Sequence, residues 1–72
     1  MTYAEASLVV LPFGKFRGQT IDHVAESDAG LLYLDWLIGQ NWIRDGLRTA
    51  LETYLGDPGI KGEIEKVMKV RR

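Results

Sequence analysis

The apolar and polar positions of the chain fall into blocks that predict its secondary structure. Residues 8–11 are aliphatic and partly β-branched, which predicts a strand, and Pro12 restricts that strand to a sheet edge or ends it. Residues 14–18 predict the turn of a hairpin, and the next three residues predict the returning strand. Thr20 is equally suited to cap a single helical turn over residues 21–25, so strand and short helix both stay open.

Three longer helices follow from the spacing of apolar residues. Residues 29–38 are apolar on most sides, which predicts a central helix capped by Ser27 or Asp28. Residues 44–55 and 60–70 show amphipathic patterns, and the Gly-Asp-Pro-Gly break at 56–59 separates these two helices. Residues 3–7 have no such pattern, so we interpret them as a polar lead-in.

Together these elements predict a small α+β fold, in which one β-hairpin packs against two or three α-helices. The 72 residues suit one small domain, 1–72, with residues 8–55 as its main body and the amphipathic helix 60–70 as an addition. A chain of this length buries only about 60% of its unfolded surface, so its core is expected to be marginal.

The composition indicates the cellular environment expected for the protein and the partners it can have. There is no cysteine, which excludes disulfides and thiolate metal sites. No basic leader or long apolar run is visible, so we expect a complete, cytoplasmic protein with no membrane partner. The net charge is −1, and the basic residues gather at the predicted turn and at a C-terminal group: Lys66, Lys69, Arg71 and Arg72. Any attraction of a nucleic acid would therefore come from the local electrostatic potential of these basic residues and not from the net charge.

The predicted turn has the densest group of candidate functional residues. Two glycines enclose two cations and an aromatic ring, and alternation along an extended ribbon places Lys15 and Arg17 on one face and Phe16 on the other. This arrangement is suited to phosphate contact, with base stacking by the aromatic ring. Arg44 and Arg48, one helical turn apart, are expected to continue the basic track. The predicted nucleic-acid site comprises Gly14, Lys15, Phe16, Arg17, Gly18, Arg44 and Arg48.

The other aromatic residues have structural and functional alternatives. Phe13 is expected to pin the hairpin to the helices rather than to stack on bases, and Phe16 is the better stacking candidate. Trp36, which lies among leucines, is expected in the core. Trp42 lies at a loop–helix junction, where partial exposure is expected.

Two sequence blocks resemble a known family. LPFGKFRGQTIDHV at 11–24 and YLDWL at 33–37 are similar to the small C-terminal module of exodeoxyribonuclease X-like proteins, with 44–55 as the family's following helix. Short bacterial and phage proteins described as quorum-sensing-regulated virulence factors carry a similar Phe-Gly-Lys motif. The resemblance implies a DNA-binding accessory module associated with an exonuclease. The nuclease domain that usually precedes the module is missing from this chain, so catalysis is not implied.

We expect no enzymatic activity, no metal and no cofactor. His23 is the single histidine, and the sequence indicates no partner for it in a catalytic triad. Four carboxylates could in principle hold Mg²⁺, namely Asp22, Glu26, Asp28 and Asp35, but two of them are better explained as a helix cap and a first-turn charge.

The sequence supports two functional hypotheses. The first is a non-catalytic module that binds single- or double-stranded DNA through the turn. The second is a bacterial or phage adaptor that docks on a larger enzyme or self-associates. It is based on the acidic body of the chain, the many aromatic residues for this length and the helix 60–70 outside the family pattern. An edge strand at residues 8–11 could also pair with another chain.

Overall fold

A computed structural model describes residues 1–70, except for the side chain of Val70, and in this range the chain forms five helices. They are α1 (Tyr3–Ser7), α2 (Ile21–Val24), α3 (Asp28–Ile38), α4 (Asp45–Leu55) and α5 (Pro58–Val70). Arg71 and Arg72 of the predicted basic terminus lie outside the described residues. Within residues 1–70, no helix has the length and apolar character needed to cross a membrane.

Polar side chains fix where the first three helices begin. The hydroxyl groups of Thr2, Thr20 and Ser27 accept hydrogen bonds from backbone N–H groups three residues later, at 3.2, 3.2 and 3.0 Å. These bonds satisfy N–H groups that have no partner inside the helix. At α1, the Glu5 carboxylate also accepts from the Thr2 N–H at 2.9 Å, which completes a capping box. The backbone and hydroxyl of Thr2 lower the pKa of Glu5.

The predicted β-hairpin is wrong, and so is the α+β fold class. In the described part of the chain, the ribbon is reduced to one antiparallel bridge between Val10 and Thr20. Pro12 has no N–H to donate, and Thr20 already begins α2, so too few residues remain to build two strands. The alternative of a short helix capped by Thr20 is confirmed. The predicted polar lead-in is also wrong, because it forms α1 and buries Ala6.

The core is almost entirely aliphatic. The helix α4 packs against α1, α3 and α5, and residues such as Leu34, Leu37 and Leu51 are completely buried where these helices meet. Gly30 lets α3 approach α2 closely, since a Cβ at this position would lie 1.7 Å from the carbonyl oxygen of Val24. Any larger residue at position 30 would therefore force these two helices apart.

Tyr54 is the single aromatic residue in this core, as far as the described residues show. Its ring stacks on Tyr3 with 4.9 Å between centroids and 13° between planes. Its hydroxyl donates a hydrogen bond of 3.1 Å to Oδ1 of Asp22. Burial raises the pKa of the Tyr54 hydroxyl above its ordinary value, and the bond to Asp22 adds to this effect. Tyr54 thus connects α4 with both α1 and α2.

Candidate functional site

The predicted turn forms a compact loop that two glycines make possible. Gly14 and Gly18 have φ values of 80° and 86°, which side chains with a Cβ rarely adopt. The loop is closed by backbone hydrogen bonds from Leu11 N–H to the Gln19 carbonyl and from Gly18 N–H to the Leu11 carbonyl, both 2.9 Å long. Gly14 also lies close to α3, because a Cβ there would be 2.6 Å from the Tyr33 hydroxyl oxygen.

The loop places its cations and its aromatic rings in different environments. Lys15 and Arg17 are exposed, whereas Phe13 and Phe16 are half-buried against the core. The Phe16 ring packs on Tyr33 with 5.1 Å between centroids, and Nζ of Lys15 lies 5.7 Å from the Phe16 centroid. That distance allows a cation–π contact. Phe16 is therefore less accessible to a base than an exposed ring at a hairpin tip would be.

Five rings form one continuous aromatic surface beside this loop. From Phe16 and Tyr33 the series continues to Trp36 at 5.8 Å, then to Trp42 at 6.4 Å and to Phe13 at 5.2 Å, measured between centroids. We call these five residues the aromatic face. Trp36 is 53% exposed and Trp42 is 55% exposed. The expectation that Trp36 lies in the core is wrong, while Trp42 is exposed as predicted.

The cations of this region are free of carboxylate partners. Within residues 1–70, the one close pairing of a basic side-chain nitrogen with a carboxylate joins Nδ1 of His23 to Oε2 of Glu26, at 2.9 Å. Lys15, Arg17 and Arg44 are all exposed, and Arg44 follows Trp42 by two positions. Since no carboxylate neutralises them, these three side chains are available to an anionic ligand.

Arg48 has a different role from Arg44 in the structure. Its Nη1 donates to the carbonyl oxygen of Ile38 at 3.2 Å, and its Nη2 donates to the carbonyl oxygen of Gln40. Arg44 is the N-cap of α4 and lies before the first helical residue. The expected track of two arginines on one helical face therefore does not form, and we leave Arg48 out of the candidate site.

Three of the four carboxylates that were candidates for a metal site, Asp22, Glu26 and Asp28, line one surface pocket, and Asp35 lies outside it. Asp22 accepts the Tyr54 hydrogen bond, and Glu26 pairs with His23. Asp28 lies in the first turn of α3, with Asp35 two turns later. Among the described residues, no three His, Cys, Asp or Glu side chains gather as a metal ion would require.

An apolar groove adjoins the aromatic face and was not foreseen from the sequence. It has a volume of about 670 Å³ and lies between the segment before the loop and the start of α4. Its lining residues are Val9, Val10, Pro12, Phe13, Trp42, Ile43, Arg44, Gly46 and Leu47. Phe13 and Trp42 belong to both the groove and the aromatic face.

Tyr33 was not predicted as a site residue either, although its spacing from Trp36 places both on one side of a helix.

No known protein family, curated protein or solved structure matches this chain. The resemblance to the exodeoxyribonuclease X-like module therefore stays a hypothesis. The description as a small α+β, exonuclease-associated, DNA-binding protein is corrected as well: the described residues are helical with a single bridge, and the comparisons provide no evidence for DNA binding or an exonuclease.

Proposed function

We propose that this protein is a non-catalytic module that binds single-stranded nucleic acid on the aromatic face. The observation that carries the proposal is the continuity between two exposed tryptophans and a loop with two unpaired cations, Lys15 and Arg17. Stacking of a base on an aromatic side chain contributes about 1–3 kcal/mol, and cations beside the rings neutralise phosphates. The aromatic face supplies the rings for stacking, and the adjoining loop supplies the cations.

The surface suits unpaired bases better than a duplex. In duplex DNA the faces of the bases are covered by their neighbours, so proteins contact their edges through the grooves. Trp36 and Trp42 offer aromatic surface, which matches the exposed faces of unpaired bases. Three nearby cations neutralise few phosphates, so the affinity is expected to be modest and to fall with salt.

The adaptor hypothesis has lost one of its supports. A single bridge at Val10 is too short to recruit a strand from another chain. Exposed tryptophans are also typical of protein interfaces. Lys15 lies beside Phe16 and Arg44 beside Trp42, and these unpaired cations favour a polyanion over a neutral protein surface.

Titration of a labelled single-stranded oligonucleotide at low salt, with a duplex of the same sequence in parallel, tests the proposal. Single-strand binding should accompany quenching of tryptophan fluorescence. The double variant Trp36→Ala/Trp42→Ala should lose about 1–3 kcal/mol for each base that is no longer stacked.

A charge-matched pair of variants tests the contribution of the loop. Lys15→Ala/Arg17→Ala should reduce the slope of log K against log salt by about 1.4, which is about 0.7 for each lost single-strand phosphate contact. Lys61→Ala/Lys66→Ala removes the same charge from α5 and should keep the wild-type slope. Absence of wild-type binding, or equal slopes for the two variants, would contradict the proposal.

A further inference from the structure

The groove beside the aromatic face has the chemical character of a site for a flat, anionic ligand. Arg44 is the single charged residue that lines it, and the other lining residues are apolar or glycine. Its volume of about 670 Å³ falls within the roughly 300–1,000 Å³ typical of small-molecule sites. A ligand with an apolar ring and a negative group would match both the walls and the charge.

We propose that this groove holds one unstacked base of the strand that lies on the aromatic face. This inference rests on the proposed function. Trp42 and Phe13 form part of both surfaces, so a strand that leaves the face at Trp42 reaches the groove directly. The base would lie among Pro12, Phe13 and Leu47, and Arg44 would bind the attached phosphate.

Gly46 offers a way to close the groove without disturbing the helix. It lines the groove from the first turn of α4, and a Cβ at this position meets nothing within 4 Å. Gly62 in α5 has the same open surroundings and does not line the groove. Gly46 lies in the first turn of α4 and Gly62 in the interior of α5, so leucine is compatible with the helix at each position. Gly62→Leu is therefore a matched control for Gly46→Leu.

The two variants are compared in titrations with the same short single-stranded oligonucleotide. Gly46→Leu should weaken binding about tenfold, within the range of one lost base contact, whereas Gly62→Leu should bind as the wild type does. Circular dichroism establishes that each variant is folded. If Gly46→Leu does not fold, Val10→Leu narrows the groove from its other side and should weaken binding in the same direction.

Oligonucleotides of about four nucleotides, with one abasic position moved along the strand, test for the base itself. At one position, the abasic change should weaken wild-type binding and cause no further loss in Gly46→Leu.

If the wild type binds and Trp36→Ala weakens binding, but Gly46→Leu and Gly62→Leu bind with equal affinity, only the groove assignment is overturned. An apolar peptide as the natural occupant would give this result. If the wild type binds no oligonucleotide, the proposed function fails and the groove assignment fails with it.

Discussion

The protein uses aromatic rings in two regions with opposite environments. Tyr54 is 2% exposed, stacks on Tyr3 and donates its hydroxyl hydrogen to Asp22. On the aromatic face, by contrast, Trp36 and Trp42 leave more than half of their surface open to solvent. One region joins three helices, and the other presents rings outward.

This contrast shows what the exposed rings contribute. Hydrophobic stabilisation is roughly proportional to the apolar area removed from water, at about 25 cal/mol per Å². The exposed halves of Trp36 and Trp42 therefore add nothing to folding, while aliphatic residues and Tyr54 fill the core. A contiguous exposed apolar patch on a small protein is typical of a binding surface. The exposed parts of Trp36 and Trp42 are therefore not explained by the stability of the fold.

Truncation of one ring in each region should give the largest difference in stability. Tyr54→Ala removes a buried ring and leaves a cavity, so the free energy of unfolding should fall by about 3–5 kcal/mol. Trp36→Ala should cost about 1 kcal/mol, because Trp36 is 53% exposed and the ring contacts it loses are those with Tyr33 and Trp42. Urea unfolding followed by circular dichroism measures both. Equal losses would remove the distinction between a structural and an exposed group of rings.

Arg44, the N-cap of α4, and Arg48, within α4, extend the same contrast to charged side chains. Arg48→Ala leaves the carbonyl groups of Ile38 and Gln40 without their donors, so the free energy of unfolding should fall by about 1.5–3 kcal/mol. Arg44→Ala should change it by less than about 0.5 kcal/mol, since the Arg44 side chain is exposed and makes no capping hydrogen bond. The effects on oligonucleotide binding should be reversed, with a loss for Arg44→Ala alone. A stable Arg48→Ala that binds weakly would reverse these roles.

The sequence predicted the longer helices because their signals are local. Apolar spacing and the Gly-Asp-Pro-Gly break located α3, α4 and α5 to within a few residues, and Thr20 was a visible cap. The capping box of Thr2 and Glu5 was also present as Thr-x-x-Glu, and it would have predicted α1. The hairpin was overpredicted because Pro12 and the start of α2 limit strand pairing to one bridge.

The candidate site depended more on contacts between distant segments. Gly14 and Gly18 have positive φ, which fits the glycines that the sequence places at the two ends of the loop. The bonds from Arg48 to the end of α3 join positions eight and ten residues apart, which helical spacing within α4 does not show. Trp36 was assigned to the core because α3 is apolar on most sides. A chain of 72 residues has too few elements to cover every side of such a helix.

A rise to alkaline pH should give the smallest of these changes in the free energy of unfolding. It tests the contribution of the buried Tyr54 hydroxyl by itself. Because burial and the bond to Asp22 raise its pKa, the folded protein keeps this proton where the unfolded chain, with an ordinary tyrosine pKa near 10.0, loses it. The stabilisation is therefore complete below pH 10 and decreases as the pH rises further, by up to about 1.4 kcal/mol per pH unit. Tyr54→Phe cannot show this loss. At neutral pH it should cost about 1 kcal/mol for the missing hydrogen bond.

Urea unfolding at several pH values from neutral to about 11 compares Tyr54→Phe with the wild type. The difference between their free energies of unfolding should stay constant up to about pH 9.5 and approach zero near pH 11. By then the wild type has lost the stabilisation by the Tyr54 hydroxyl, which the variant lacks at every pH. Tyr33→Phe removes a hydroxyl from the aromatic face but leaves Tyr54 in place, so it should keep the wild-type alkaline loss. If the difference between wild type and Tyr54→Phe stays unchanged above pH 10, the hydroxyl ionises equally in both states. Tyr54 would then be as open to solvent as the rings of the aromatic face, and the contrast between the two regions would fail.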